Sequence, residues 1–318
     1  MVGHPSAINQ NPKDIEHELR LLFGDILRCN IALSSYTTLQ IGGPADFLLE
    51  LHHTDDVIRA CRAALQLNLP FHFLAGCSNV LIDDCGLRGL VVINRTETID
   101  WQKDFSLRVD GGYSLDLLVE RVSERGWADL TFAAGIPGSI GGALVGGAGA
   151  FGHLVHEYLL EAEILRRDGT TCTVTASDLG IRYRESDAKQ RGDIILAAAM
   201  GNFTSGFPDQ LVAEIHRIRA EREIKHPGPD LPSAGSFFKN LPPATPGGRR
   251  IPAGKLLEEV GAKDIRIGGA GVFHKHANII VNYGGATANQ INELADIMAE
   301  RVKLKFGIEL EREVQYLC

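Results

Sequence analysis

The stretch from residue 135 to residue 152, GIPGSIGGALVGGAGAFG, contains eight glycines and no charged side chain. Glycine costs conformational entropy, so this density indicates a backbone that needs positive φ or lies directly against a large group. Successive backbone N–H groups in glycine turns form concave anion sites, and the missing Cβ atoms let a pyrophosphate or flat ring approach the chain. The stretch therefore favours an anionic, flat cofactor over a surface loop or an ordinary helix. The alternative is a glycine-rich packing turn.

The same stretch contains a G-x-G-x-x-G pattern at Gly147, Gly149 and Gly152. In a dinucleotide-binding βαβ unit this pattern follows a hydrophobic strand, begins a helix and precedes an acidic residue about 20 positions later. Here only residues 143–145 are apolar before it, and residues 158–165 after it resemble a strand without an intervening helix. The pattern is therefore not interpreted as a Rossmann site.

A second candidate site is the segment LAGCSNVLI, residues 74–82, which has strand-like residues on both sides of a short polar turn. Its backbone N–H groups and the side chains of Ser78 and Asn79 could bind a phosphate. Taken alone, the segment also fits a plain tight turn.

Three polar side chains are candidates for acid–base or charge chemistry. Arg184, in YRES, lies where an exposed strand does not need an arginine, although a salt bridge to a core carboxylate is an alternative. Ser236 follows Gly235 and precedes two phenylalanines, which indicates a hydroxyl at the edge of an apolar pocket, although an ordinary N-cap or turn serine fits as well. Glu313 lies near the last predicted strand and could simply face solvent.

The elements that must position these residues mix strands and helices. Helical spacing and capping residues predict helices over 12–23, 55–67 with Thr54 as its cap, 114–125, 209–225, 253–260, and one begun by a Thr287/Gln290 capping box. Apolar runs predict strands over 46–51, 71–76, 90–94, 107–109, 158–165, 171–175, 193–200, 277–282 and 309–317. The proline-rich segment HPGPDLP, residues 226–232, predicts a domain junction. This mixture predicts an α+β protein.

The composition of the chain argues against several kinds of function. The 318-residue chain is 44% hydrophobic and 23% charged with a net charge of −8, which argues against nucleic-acid binding and against binding to anionic membranes. No apolar run approaches 18 residues and the first residues do not resemble a signal peptide, so membrane insertion is not expected and a cytoplasmic location is. Six cysteines without a C-x-x-C pair indicate reduced thiols, and His274 and His276 have no evident third ligand, so no metal site is predicted.

Eight motifs occur in an order typical of one family: TLQIGGPADFLL, LAGCSNVLIDD, GIPGSIGGALVGGAGAFG, YRES, PSAGSFFKN, AGKLLEEVGA, KHANIIVN and ELEREV. From about Ile31 to Val314 the chain resembles the UDP-N-acetylenolpyruvoylglucosamine reductase (MurB) family. Only about 50 residues separate Arg184 from Ser236, which resembles the shorter, type II form of the family.

The resemblance implies an FAD-binding fold of the vanillyl-alcohol-oxidase type, with two FAD-binding subdomains and a C-terminal α+β substrate domain. The expected segments are 1–30 as an N-terminal helical segment, 31–95 and 96–205 as FAD-binding subdomains, and 206–318 as the substrate-binding domain. The implied cofactor-binding residues are Gly76, Cys77, Ser78, Asn79, Val80, Gly135, Ile136, Pro137, Gly138, Ser139, Gly141, Gly142 and Ala143.

The resemblance also implies a reaction. NADPH reduces non-covalently bound FAD, and the reduced flavin passes a hydride to the enolpyruvyl ether of UDP-N-acetylglucosamine enolpyruvate. Arg184 and Glu313 are expected to stabilise the enolate-like charge, the glutamate as a protonated donor with a raised pKa, and Ser236 to donate the proton. Candidates for substrate binding are Lys225, Lys239 and Asn240, and a monomer or weak oligomer is expected.

The chain departs from the family pattern at several positions. Gly146-Gly147 stand where Met-Asn is usual, and Phe151 replaces a tyrosine, which predicts a looser turn. Cys77 lies inside the phosphate-binding turn, and Asp187 follows YRES in place of an aromatic residue. Two other functions stay open: an FAD-dependent oxidase or dehydrogenase of the same superfold, and a catalytically silent sugar-nucleotide or flavin binder.

Overall fold

The computed structural model describes residues 11–245 and 248–318, so residues 1–10 of the predicted N-terminal segment lie outside it. The described chain divides into two compact units. The first contains the residues up to Ile31, Ala45–Gly76 and Arg88–Arg219, and the second contains Ala32–Pro44, Cys77–Leu87 and Ala220–Cys318. The second unit therefore combines the C-terminal third with two short segments from the N-terminal part of the sequence. The four predicted domain segments are not tested by this division.

The first unit contains the predicted longer helices and strands, together with short helices and strands that the sequence pattern did not predict. Its helices are α1 Pro12–Phe23, α2 Thr54–Gln66, α3 Leu115–Glu124, α4 Ile140–Val145, α5 Ala176–Leu179 and α6 Asp187–Arg191, and α7 Pro208–Lys225 continues into the second unit. Its strands are β1 Arg28–Ala32, β2 Pro44–Leu51, β3 Phe71–Leu74, β5 Leu87–Asn94, β6 Ile99–Trp101, β7 Leu107–Asp110, β8 Gly149–Ala150, β9 His153–Leu154, β10 Leu159–Leu165, β11 Thr171–Thr175 and β12 Ile194–Met200. Four of these strands form a sheet in the order β1-β2-β5-β3, with β3 parallel to β5.

The larger sheet of the first unit has the order β11-β10-β12-β7-β6 and is antiparallel at each pairing. Its central strand β12, IILAAAM, reads as a nearly continuous apolar run because both of its faces are covered. The helix α4 packs against this strand at Gly141, where an added Cβ would lie 3.3 Å from the carbonyl oxygen of Ile195. The glycine-rich stretch therefore does contain a helix, and the expectation that it could not is wrong for residues 140–145.

The second unit is built around a four-stranded sheet and a long helix. It contains β4 Val80–Ile82, β13 Ser233–Ser236, β14 Arg266–Ile267, β15 Ala270–Val272, β16 Ile279–Asn282, β17 Gln315–Leu317, and the helices α8 Ala253–Glu259 and α9 Ala288–Phe306. The sheet order is β13-β16-β15-β14, and β17 pairs in parallel with β4. A buried face of α9, including Ile291, Leu294 and Met298, packs into the core of this unit.

Capping residues decide several helix boundaries. The Ser114 hydroxyl accepts a hydrogen bond from the N–H of Leu117 at the start of α3, and Thr287 forms the predicted capping box with Gln290 at the start of α9. The prediction for α2 is wrong by one residue: Thr54 is its first helical residue and His53 is the N-cap.

Candidate functional site

The segment from Gly135 to Ala143 is fixed by internal hydrogen bonds. The N–H of Gly135 donates to the Asp116 carboxylate at 2.6 Å, and the Ser139 hydroxyl accepts from the N–H of Gly142 at 3.2 Å as the N-cap of α4. The N–H groups of Ile136, Ile140, Gly141 and Ala143 donate to backbone carbonyls. These N–H groups are already used by the protein, so the segment offers a rigid, uncharged surface for a flat ring.

Gly76 and Gly138 bring two backbones of the first unit together. A Cβ on Gly76 would lie 3.0 Å from the Cα of Gly138, and Gly138 itself has a φ of +115°. A side chain at position 76 would therefore push the two backbones apart. The structure thus brings Gly76 and the glycine-rich segment into backbone contact within the first unit.

The turn that follows Gly76 is tied into the second unit by its carbonyl groups. The Cys77 oxygen accepts from the backbone N–H and the hydroxyl of Thr38 at 3.3 and 3.4 Å, and the Asn79 oxygen accepts from the N–H of Gln315 at 3.1 Å. Cys77 is buried and has a φ of +47°, which is uncommon for a residue other than glycine. Because an anion repels carbonyl oxygens, turning these two oxygens toward protein donors suits a phosphate-binding turn.

Ser236 lies at the end of β13, opposite Ile279 of β16. The register shifts between Ser233 and Ser236, with Gly235 at a φ of +72°. Such bulges redirect the side chain that follows them. The Ser233 oxygen accepts a hydrogen bond from the Thr38 hydroxyl at 2.7 Å, so Thr38 bonds both to the polar turn and to the strand of Ser236.

Glu313 lies just before β17, so the prediction that the last strand covers residues 309–317 is wrong at its start. The N–H of Glu313 donates to the oxygen of Phe237 at 2.8 Å, and the Asn79 side-chain amide donates to the oxygen of Glu313 at 3.2 Å. The structure therefore brings the side chain of Asn79 and the backbones of Glu313 and Phe237, the residue after Ser236, together in one unit.

Arg184 belongs to the first unit and lies in a tight turn. Arg182 and Glu185 exchange two backbone hydrogen bonds of 2.8 and 3.2 Å around it, and its own φ is +57°. The side chain is half-buried, with its guanidinium 5.7 Å from the centre of the Tyr183 ring. Asp187, the departure from the family pattern, forms a 2.7 Å salt bridge with Arg182.

The three candidate substrate-binding residues lie in the second unit. The Lys239 amine bonds to the Glu311 carboxylate, and the Asn240 side chain accepts from the N–H of Ala253 at 3.2 Å. Lys225, at the end of α7, is next to His226, whose ring centre lies 5.9 Å from that of His276. Burial, and then the charges of Arg222, His276 and Lys225, lower the pKa of His226 to about 4.

Comparison with known proteins identifies the family. Residues 226–317 match the model of the UDP-N-acetylenolpyruvoylglucosamine reductase C-terminal domain, and residues 45–175 match that of an FAD binding domain. A curated UDP-N-acetylenolpyruvoylglucosamine reductase from Anoxybacillus flavithermus is 36% identical over 90% of this chain and 92% of its own. The chain belongs to the UDP-N-acetylenolpyruvoylglucosamine reductase family.

Other members of the family agree with this assignment. A curated reductase of the same name from Gloeobacter violaceus is 35% identical over 92% of this chain and 97% of its own. The crystal structure of UDP-N-acetylenolpyruvylglucosamine reductase (MurB) from Thermus caldophilus is 28% identical, with a TM-score of 0.75, and covers 92% of this chain and all of that chain. The α+β fold with an FAD-binding domain, predicted from the sequence, is confirmed.

The residues present fit FAD, the cofactor of the family. Gly76 and Gly138 bring the polar turn and the glycine-rich segment into backbone contact, and the segment Gly135–Ala143 carries no charged side chain that would exclude a flat ring. Within residues 11–245 and 248–318, no group of three or more histidine, cysteine or acidic residues is placed to hold a metal ion. In the same part of the chain, no helix combines the length and the hydrophobicity that crossing a membrane requires.

Sequence reasoning missed two residues that support the site. Asn278 is buried, and its side chain accepts from the N–H of Phe238 at 3.0 Å and donates to the oxygen of the same residue at 2.8 Å. Asp116 accepts from the N–H of Gly135 and also pairs with Arg219 at 3.0 Å. The sequence gives one indication that Asn278 has a structural role, because it places a polar amide within the apolar run ANIIVN. No neighbouring residue indicates a role for Asp116.

Proposed function

We propose that this chain reduces the enolpyruvyl ether of UDP-N-acetylglucosamine enolpyruvate to UDP-N-acetylmuramate, with FAD as cofactor and NADPH as co-substrate. The family assignment supports this reaction, because it covers both the FAD-binding domain and the C-terminal domain. The observation that carries it is the hydrogen-bonded arrangement of Asn79, Glu313 and the Ser236 strand within one unit. This arrangement links the polar turn to two candidate catalytic residues.

The cofactor-binding role is assigned to the two segments already described. The proposed residues are Gly76, Cys77, Ser78, Asn79, Val80, Gly135, Ile136, Pro137, Gly138, Ser139, Gly141, Gly142 and Ala143. The turn after Gly76 holds the pyrophosphate, and the segment that begins at Gly135 lies along the ring system. When bound, FAD supplies the hydride chemistry that no side chain can provide.

Three residues then act on the substrate. Arg184 places its fixed positive charge near the substrate carboxylate, where charge develops during reduction. Glu313, protonated, donates a hydrogen bond to the same group. The Ser236 hydroxyl donates the proton that completes the D-lactyl ether, and the apolar neighbours Phe237 and Phe238 exclude water from its surroundings.

The substrate-binding role is assigned to Lys225, Lys239 and Asn240. Lys225 is proposed for a diphosphate or uridine contact, because its positive charge complements the negative charge of a diphosphate. Asn240 is proposed for the same contact. Lys239, which lies directly after Phe238 and bonds to Glu311, is proposed to orient Ser236. The cytoplasmic location and the monomeric or weakly associated state stay predictions, as does the absence of a nucleic-acid partner.

The test follows the flavin absorption band of the purified holoenzyme under anaerobic conditions. NADPH should bleach the band, and UDP-N-acetylglucosamine enolpyruvate should restore it with formation of UDP-N-acetylmuramate. A band that bleaches but returns only with oxygen would instead indicate an oxidase-like enzyme. A protein that binds the sugar nucleotide but neither holds FAD nor can be reconstituted with it would be a silent binder.

A further inference from the structure

The turn after α4 lies directly against the turn that holds Arg184. Gly147 has a φ of +58°, and a Cβ added to it would lie 2.2 Å from the oxygen of Arg182 and 3.2 Å from the backbone nitrogen of Arg184. A distance of 2.2 Å is far below any normal contact, so a side chain here would displace the backbone of Arg182. In this structure the conformation at position 147 favours glycine, and the close approach leaves no room for a Cβ.

The atom that a side chain at 147 would displace also closes the Arg184 turn. The Arg182 oxygen accepts the hydrogen bond from the N–H of Glu185, and the N–H of Arg182 donates to the oxygen of Glu185. Arg184 itself has a φ of +57°, a conformation that costs energy for an arginine and persists only when its surroundings enforce it. Moving the Arg182 oxygen would release this constraint and change the direction of the Arg184 side chain.

A second contact joins the same two turns. The Ser186 hydroxyl, fully buried, donates to the oxygen of Val145 at 2.7 Å and accepts from the N–H of Lys189 at 3.0 Å as the N-cap of α6. The end of α4 is therefore fixed to both sides of the Arg184 turn. The other end of α4 begins at Ser139, inside the proposed ring-binding segment.

We propose that Gly147 is a positioning residue for Arg184, which it places relative to the cofactor-binding segment through α4. The inference rests on the proposed role of Arg184 in the reductase reaction. The replacement of the usual Met-Asn by Gly146-Gly147 predicts a looser turn. The contact of Gly147 with Arg182 argues against this, because a glycine at position 147 lets the two turns approach closely. The glycine is thus a requirement of this chain's geometry.

The test compares Gly147→Ala and Gly147→Asn with Gly152→Ala. Gly152 has a φ of +90°, but a Cβ added there meets nothing within 4 Å, so this control carries the conformational strain without the contact. Asparagine adopts positive φ readily, so Gly147→Asn carries the contact with less strain.

Both Gly147 variants should lower the rate of flavin reoxidation by the enolpyruvyl substrate about 10- to 100-fold, a loss typical of a misplaced catalytic group. FAD content and the rate of reduction by NADPH should change less than about 2-fold, whereas Gly152→Ala should change reoxidation less than about 3-fold.

A double-mutant cycle separates positioning from general damage. If Gly147 acts through Arg184, then Gly147→Ala should cause no further loss in an Arg184→Ala background. The inference would be overturned if the rate losses of Gly147→Ala and Arg184→Ala multiplied in the double variant. It would also be overturned if Gly147→Ala and Gly152→Ala slowed reoxidation equally. An Arg184→Ala enzyme with the full reoxidation rate would instead refute the proposed role of Arg184.

Ser186→Ala provides an independent test if the Gly147 variants do not fold. It removes the hydrogen bond to Val145 and should slow the same reoxidation step about 3- to 10-fold, again only while Arg184 is present. An unchanged reoxidation rate, or a loss that persists without Arg184, would contradict the coupling between the two turns.

Discussion

Arg184 is held by the close approach of two turns, whereas Ser236 and Glu313 are held by a ladder of hydrogen bonds. At the first region, the packing of Gly147 against Arg182 leaves no room for a Cβ. At the second, the N–H of Glu313 and the side chain of Asn278 bond to the backbone of Phe237 and Phe238. One region is thus fixed by steric exclusion and the other by paired polar groups.

The difference predicts different sensitivities to mutation. The first region is damaged chiefly when atoms are added at Gly147, because its backbones are already in contact there, and less by loss of the Ser186 hydrogen bond that joins the same two turns. A region fixed by hydrogen bonds is damaged chiefly when one partner is removed, since the other is left buried without a partner. Substitutions that add atoms to the first region and remove them from the second therefore test the comparison directly.

The largest expected effect is that of Ser236→Ala in the hydrogen-bonded region. Loss of the proposed proton donor should slow product formation about 10²- to 10⁴-fold, the usual contribution of a positioned acid. Reduction by NADPH should be unchanged, because it does not need this proton. Stopped-flow absorbance of the two half-reactions measures both rates. Ser233→Ala, on the same strand, should leave both rates within about 2-fold, and an equal loss in the two variants would show that strand geometry, not the Ser236 hydroxyl, matters.

Removal of Asn278 should have the largest effect on stability among the changes considered. Asn278→Ala deletes two hydrogen bonds and leaves the N–H and the oxygen of Phe238 without these partners, at a cost of about 2–4 kcal/mol in the free energy of unfolding. Urea denaturation of the holoenzyme measures this cost. The exposed Asn289 provides a control, since Asn289→Ala should change the same quantity by less than about 0.5 kcal/mol. A loss below 1 kcal/mol in Asn278→Ala would mean that the ladder does not hold this region.

Acid should weaken the second unit through His226. Its pKa lies near 4 in the folded protein and near 6.5 when unfolded, so the unfolded chain binds the proton first as the pH falls. The contribution of neutral His226 to the free energy of unfolding is therefore complete above pH 6.5, and it is lost progressively as the pH falls from about 6.5 to 4. Each pKa unit corresponds to about 1.4 kcal/mol, and partial solvent exposure reduces the expected loss to about 2 kcal/mol.

Charged groups around His226 also affect its protonation and must be considered when its pH dependence is measured. Arg222, Lys225 and His276 disfavour its protonation, while Lys263 and Glu258 act in opposite directions on His276. Urea midpoints measured at pH 7.5 and pH 5 should differ less in His226→Gln than in the parent protein. The same pH dependence in both proteins would contradict the assignment to His226.

Local signals in the sequence explain how much of this structure could be predicted. Ser114 and Thr287 begin helices because their hydroxyls bond to N–H groups only three residues away, and such partners are visible in the sequence. The apolar run of β12 likewise indicates, from the sequence alone, that this strand is buried. The error at Thr54 is of the same kind, since threonine fits both the N-cap and the first turn.

The candidate site was only partly predictable, because its geometry depends on partners far apart in the chain. Asp116 holds Gly135 across 19 residues, and Asn79 reaches Glu313 across 234. Glycine density marked the close approach of Gly147 but not its partner, the turn that contains Arg184. The last strand was predicted too long because alternation in residues 309–317 does not show where pairing with β4 begins.

The smallest effect tests whether the hydrogen-bonded region extends into the polar turn. Asn79→Asp keeps the size of the side chain but cannot donate to the oxygen of Glu313, and loss of one such bond costs about 0.5–1.5 kcal/mol. We expect the rate of product formation at saturating FAD and substrate to fall about 3- to 10-fold. The pH profile of this rate should also shift, because the position of Glu313 affects its protonation.

The structural role of Asn79 must be distinguished from its proposed contact with the cofactor. Weaker FAD binding alone, with the rate at saturation and its pH profile unchanged, would assign Asn79 to the cofactor and remove it from the ladder. A change in rate and pH profile with FAD affinity retained would place Asn79 in the same network as Ser236 and Glu313.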